Sequence, residues 1–94
     1  PFACASGIIP ARKDFLELLR RLCDAHGVVL IFDEVITGFR VHFHGAQGLY
    51  GVLPDLATFA KALGGGAAVA AVAGKESLMR LFGDLSVVHA GTYN

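Results

Sequence analysis

The apolar residues Phe15, Leu18, Leu19 and Leu22 recur at i, i+3, i+4 and i+7, the spacing that gathers side chains on one face of an α-helix. Asp14 and Glu17 come early in that stretch and Arg20 and Arg21 late, as the helix dipole favours. Gly27 supplies the stop, because glycine takes the left-handed conformation after a helix without steric cost; His26 beside it reads as a helix-end residue. The period then changes. Val28 to Phe32 is apolar without alternation, which suits a strand covered on both faces, as in a parallel sheet, and Asp33 and Glu34 end it abruptly. A second such run, Leu56 to Ala60, follows the Pro54-Asp55 turn signal and ends at Lys61.

The 22 residues from 34 to 55 are enough for a crossover between parallel strands. A third strand near Val69 to Ala73 begins only seven residues after Lys61, too few for such a crossover, so it is expected to run antiparallel. Lys75 to Phe82 predicts a short helix. The pattern as a whole predicts an α/β fold whose sheet is mostly parallel with one antiparallel strand, without internal repeats or a disordered linker. If the first two strands are parallel, Asp33 and Lys61 leave the sheet at the same carboxyl edge, where open α/β sheets bind ligands. A carboxylate and a lysine placed so are either a structural ion pair or a catalytic pair, and spacing alone favours the first.

Composition changes this picture in one respect. Of 94 residues, 54% are hydrophobic and 17% charged, a high apolar share for a chain whose size limits how much surface it can bury by itself. Together with a first residue, Pro1, that is not Met, this predicts a piece of a larger core. The eight basic and eight acidic residues cancel, which removes any electrostatic case for nucleic acid or an anionic membrane as partner. The longest weakly polar run, Ala62 to Gly74, is broken by glycines and falls short of the roughly 18 apolar residues of a membrane span. No targeting segment is visible. Cys4 and Cys23 have neither metal-site nor disulfide-scaffold spacing, so they read as small buried apolar residues in a reducing, cytoplasmic setting. His42 and His44 would share one face of a strand, but further metal ligands are missing nearby, so no metal site is expected. Gly64 to Gly66 lack the Lys-Ser/Thr of a phosphate-binding loop and read as a turn after Lys61. Glu34 reads as structural, tied to backbone or to Arg40.

The wording around the two chemical residues is more specific than their spacing. Leu30-Ile31-Phe32-Asp33-Glu34-Val35-Ile36-Thr37-Gly38-Phe39-Arg40 and Asp55-Leu56-Ala57-Thr58-Phe59-Ala60-Lys61-Ala62-Leu63-Gly64-Gly65-Gly66 resemble the signature of class III aminotransferases, which depend on pyridoxal 5'-phosphate. Asp33 and Lys61 stand 28 positions apart with the flanking residues in order. The resemblance runs through nearly the whole chain, including Gly45-Ala46-Gln47 and His89-Ala90-Gly91-Thr92, and Pro1 looks like the second residue of the family's Glu-Pro motif. It implies a partial, central part of the large domain of a fold-type I pyridoxal-phosphate-dependent transferase over residues 1–94, with no complete domain.

The resemblance also implies roles. Lys61 would carry the cofactor as an internal aldimine and, once freed by an amino substrate, move a proton between substrate and cofactor carbons. Asp33 would keep the pyridine nitrogen protonated. Val35 would press on one face of the ring, and Thr92 matches a position that in relatives bonds the cofactor phosphate from the neighbouring subunit, which implies a homodimer. The reaction implied is transamination of an amino acid or amine with an oxo acid. Gly38-Phe39-Arg40 and Ala90-Gly91-Thr92 look closer to the glutamate-1-semialdehyde aminomutase branch, which shifts an amino group within one molecule. Ile36 stands where many class III transaminases have a glutamine able to reach the cofactor's phenolic oxygen, and Ala67 to Ala73 departs from the family's usual Pro-Val/Ile-Gly-Ala pattern. A third reading is an inactive fragment that binds no cofactor, and the isolated chain is expected to have no useful activity.

Overall fold

Three helices and five short strands follow one another in the computed structural model, which describes residues 1–83 and 87. Helix α1, Lys13–His26, ends where the sequence predicts, with Gly27 in the left-handed region at φ 63° and its N–H donating to the Cys23 carbonyl. Its buried face differs from the predicted stripe by one residue. Leu16 is the buried side chain, with Leu19 and Cys23 packed beside it, while Phe15, Leu18 and Leu22 remain about half exposed. The helix carries two apolar stripes that share Leu19, and the spacing i, i+3, i+7 from Leu16 fits the core as well as the one chosen from Phe15.

Strand β3, Ile31–Asp33, pairs in parallel with β4, Leu56–Phe59, in the register Ile31 with Leu56, Phe32 with Ala57 and Asp33 with Thr58. Strand β5, Ala71–Gly74, pairs antiparallel on the other side of β4, as the short connection requires. Helix α2, Gly45–Tyr50, lies within the crossover, and α3, Glu76–Gly83, follows β5. A small antiparallel pair, β1 (Phe2–Ala3) with β2 (Ile9–Pro10), precedes α1; the chain turns between them through a 3₁₀ turn at Cys4–Ser6. The pattern offers no signal for this pair, because two residues are too few to display alternation.

The α/β class stands, but the mostly parallel sheet does not. Among the described residues one strand pairing is parallel and two are antiparallel, so the arrangement is mixed. The expected coverage of the first strand on both faces is also corrected. Phe32 is buried in a cluster with Leu16, Leu30, Val52 and Ala57, whereas Ile31 on the opposite face is 56% exposed. In this chain only one layer covers that strand. The strand starts later than the apolar run suggests because Leu30 is held by another partner: its N–H donates to Asp55 Oδ2 at 2.7 Å and its carbonyl accepts from the N–H groups of Asp55 and Leu56.

Asp55, a turn residue in the sequence reading, is the electrostatic joint of this core. Its buried carboxylate pairs with Lys75 Nζ at 2.5 Å and Arg20 Nη1 at 2.9 Å in addition to the Leu30 N–H. It thereby ties α1 and the start of α3 to the head of β4. Arg20 also reaches Asp24 at 2.7 Å. Lys75, at the head of the predicted short helix, is thus one half of an ion pair. The hydrogen bond from Lys75, then that from Leu30, hold the Asp55 carboxyl well below the ordinary carboxylate range despite its burial. A folded-state value below the unfolded one, about 3.9, means that the stabilisation is complete above that pH. It is lost as the pH falls toward the lower folded value. In the whole protein Asp55→Asn is expected to cost about 2 kcal/mol near neutrality, since the hydrogen bonds from Lys75, Arg20 and the Leu30 N–H lose their charged acceptor. The gap to wild type in urea midpoint should close as the pH drops below about 4; a gap that is constant with pH would show that charge is not the cause.

Candidate active site

Asp33 is the last residue of β3, and Lys61 follows β4 after one residue, Ala60. Because the strands are parallel, both side chains leave the sheet at its carboxyl edge, and both line one cleft of about 350 Å³. That volume lies at the lower end of the range for small-molecule sites. Val35 lines the same cleft together with Ile36 and Thr37, and the segment from Pro1 to Ser6 forms another part of its wall. Sequence reasoning missed Thr37 and the whole of that segment. The motif named Thr37 without giving it work, and nothing in the pattern showed that the residues preceding α1 fold over the strand ends.

The Asp33 carboxylate is held on one side. Its Oδ1 accepts from the Val35 N–H at 3.0 Å and from the Thr58 hydroxyl at 3.3 Å, so the aspartate is oriented by its own turn and by the neighbouring strand. Lys61 has φ 45°, in the left-handed region that a residue with a Cβ occupies at a cost of order 1 kcal/mol or more. Ile8 and Phe39 share this feature at φ 59°, but Lys61 is the one of the three that lines the cleft. It opens a 3₁₀ turn, Lys61–Leu63, with Gly65 and Gly66 following at positive φ. The main chain therefore breaks out of the β conformation at the lysine and carries the amine off the strand direction.

The donor set fits pyridoxal phosphate at two points. A lysine amine can bond an aldehyde carbon, a carboxylate can face a protonated ring nitrogen, and the cleft offers both in one space. Apolar Val35 and Ile36 complete the lining expected around a ring. Isoleucine at 36 supplies no hydrogen bond to a phenolic oxygen. Thr92 lies outside the described residues.

The other expectations resolve as follows. The Glu34 side chain bonds the backbone of Ala46 and Gln47 and the Thr37 hydroxyl, not Arg40. His44 lies in a turn and His42 in an isolated β-bridge with Gly38, not on one strand; His42 Nδ1 accepts from the His44 N–H, and the ring centroids are 5.4 Å apart. No group of three metal-ligating side chains occurs among the described residues. Cys4 and Cys23 are free and half-buried. No helix among the described residues is long and apolar enough to cross a membrane. A second cleft of about 400 Å³, walled by Phe39, Phe43 and Phe59, is apolar and includes no lysine or carboxylate.

The family model for class III aminotransferases matches residues 1–94. A glutamate-1-semialdehyde 2,1-aminomutase of Chlorobaculum parvum is 57% identical over 93 residues, which are 98% of this chain and 22% of that protein. Among solved structures, a β-phenylalanine aminotransferase from Variovorax paradoxus superposes with a TM-score of 0.88 at 40% identity, over 100% of this chain and 22% of its own. A transaminase with PLP bound gives a TM-score of 0.82 at 40% identity, over 94% of this chain and 22% of its own. The chain thus spans about a fifth of the length of the relatives it matches.

Proposed function

From the premise that this chain belongs to the class III aminotransferase family, we propose that the whole protein transfers amino groups with pyridoxal phosphate and that residues 1–94 are the central part of its cofactor-binding large domain. The observation that carries the reading is the meeting of Asp33 and Lys61 in one cleft at the carboxyl edge of parallel strands.

When bound, pyridoxal phosphate supplies an aldehyde carbon that condenses with amines and a ring that withdraws electrons from the adjoining carbon. The chain's own groups supply the rest. Lys61 Nζ would hold the cofactor through its aldehyde carbon, and the amine, when free, would carry a proton between the substrate's α-carbon and the cofactor carbon beside it. Its departure from the strand at φ 45° aims the amine into the cleft. Asp33 keeps a proton on the ring nitrogen, because a nearby carboxylate favours the charged form of its partner. The Val35 N–H and Thr58 hydroxyl fix that carboxylate, and the Val35 side chain, which lines the cleft, would help to hold the ring and exclude water. Thr92 is assigned to the phosphate of a neighbouring subunit, so the working unit is a homodimer.

The reaction is transamination between an amino acid or amine and an oxo acid. A second reading, an amino shift within one molecule, is favoured by the relatives named glutamate-1-semialdehyde 2,1-aminomutase, which reach 57% identity against 40% for the transaminase structures above. Lys61 and Asp33 serve both reactions. The whole enzyme loaded with cofactor should consume more than one equivalent of amino donor per site only when an oxo acid is supplied if it is a transaminase. Steady turnover of an amino aldehyde or amino ketone without any acceptor would establish the intramolecular reaction instead.

A further inference from the structure

Glu34 is fully buried at 0% exposure, and the reaction gives it no task. Its Oε2 accepts from the Thr37 hydroxyl and, at 2.9 Å, from the Ala46 N–H, and its Oε1 accepts from the Gln47 N–H at 2.8 Å. No ion pair engages it among the described residues. The main chain of Glu34 is fixed as well, its N–H donating to the Thr58 carbonyl and its carbonyl accepting from the Gly38 N–H. Gly45 makes the arrangement possible: at φ 67° it brings the head of α2 so close that a Cβ there would lie 2.8 Å from Glu34 Oε1.

What this carboxylate anchors is one wall of the cleft. Val35, Ile36 and Thr37 all line it, and they occupy the turn closed by the Gly38 to Glu34 hydrogen bond. Thr37 is bonded to Glu34 directly, and Val35 supplies the N–H that grips Asp33 Oδ1. Glu34 therefore stands behind the residue that faces the ring nitrogen, joined to it through two short paths: the peptide bond from Asp33, and the turn that returns the Val35 N–H to the Asp33 carboxylate. We infer that Glu34 is a positioning residue for the cofactor, which fixes the 34–37 turn against α2 and through it the direction of the Asp33 carboxylate.

This inference rests on the pyridoxal-phosphate reading above, and its test separates the two. Glu34→Gln replaces one acceptor oxygen by an NH₂ that must face an N–H donor, at constant size; a buried donor left unpaired is costly. In the whole enzyme, Glu34→Gln is expected to weaken cofactor binding about tenfold. It should also shift the pH midpoint of the bound cofactor's visible absorbance in the same direction as Asp33→Asn, by a smaller amount. Thr37→Val, which removes one of the three donors without adding one, should move both in the same sense by about two- to threefold in affinity, and carries the test where Glu34→Gln does not fold. A protein that melts at lower temperature yet binds cofactor with unchanged affinity and an unchanged pH midpoint would overturn the positioning role and leave the cofactor reading intact. A folded wild-type enzyme that takes up no pyridoxal phosphate would overturn both.

Discussion

Lys61→Ala is expected to abolish covalent capture of pyridoxal phosphate by the whole enzyme. The visible absorbance of the bound cofactor should disappear, and borohydride should no longer fix it to the peptide that contains residue 61. Turnover should fall by roughly 10⁴-fold or more, because in the proposed role the side chain both bonds the cofactor and transfers the proton, and a positioned acid/base group alone contributes about 10²- to 10⁴-fold. Folding should be affected little. Lys61 is exposed, belongs to no hydrophobic cluster, and alanine incurs at φ 45° much the same steric cost as lysine. The other two lysines of the chain are otherwise engaged, Lys75 with the buried Asp55 at 2.5 Å and Lys13 with Glu17 at 3.8 Å. Borohydride trapping at Lys75 in the variant, or undiminished trapping anywhere, would show that the attachment point is wrong.

That this lysine could be singled out beforehand follows from the wording around residues 33 and 61, since spacing alone favours a structural ion pair; topology adds that both can reach one sheet edge. Two apolar runs separated by enough chain for a crossover predict parallel pairing, and parallel pairing sends residues 33 and 61 to one edge; the observed register, Asp33 beside Thr58, does so. The turn into Lys61 is also legible, in the glycines that follow it. The rest of the cleft is not. The Pro1–Ser6 wall depends on a two-residue strand pair and a 3₁₀ turn, both shorter than any hydrophobic period. The α1 stripe was misplaced because Phe15, Leu18 and Leu22 match helical spacing as well as Leu16, Leu19 and Cys23 do, and only the core decides between them. The sequence marks Asp55 only as a turn residue and Glu34 only as structural, tied to backbone or Arg40, and it does not name their partners, which lie up to 35 positions away in one case and 13 in the other. Side chains that bond across elements leave no periodic trace in a sequence.

The exposed apolar side chains carry a related lesson. Val28, Val29 and Ile31 precede or begin β3 and are 43–56% exposed, and no residue of β5 is buried. The continuous apolar run had predicted two-sided cover, which is the pattern of a strand inside a doubly covered sheet. This chain provides cover on one side only. The relatives that this chain matches are more than four times as long, the chain covering 22% of their length.

Asp33→Asn should separate the electronic role of the aspartate from its place in the turn. Asparagine keeps an oxygen that can accept from the Val35 N–H and the Thr58 hydroxyl, the two bonds that hold Asp33 Oδ1, so the wall of the cleft should survive the exchange. What disappears is the negative charge proposed to face the ring nitrogen. An opposite charge at that range shifts its partner's pKa by about 1–3 units, and each unit is about 1.4 kcal/mol of differential stabilisation. The protonated ring should therefore become about 10- to 10³-fold less favoured, and turnover should fall by a similar factor. The sign follows from the same linkage. Without the carboxylate the nitrogen loses its proton at lower pH, so residual activity should be retained on the acid side and lost earlier as the pH rises. Cofactor capture by Lys61 should persist, since the two groups act on different atoms of the ring system. A variant whose turnover falls less than threefold, with an unmoved pH profile, would mean that Asp33 does not face the ring nitrogen, however close the two side chains stand in the fold.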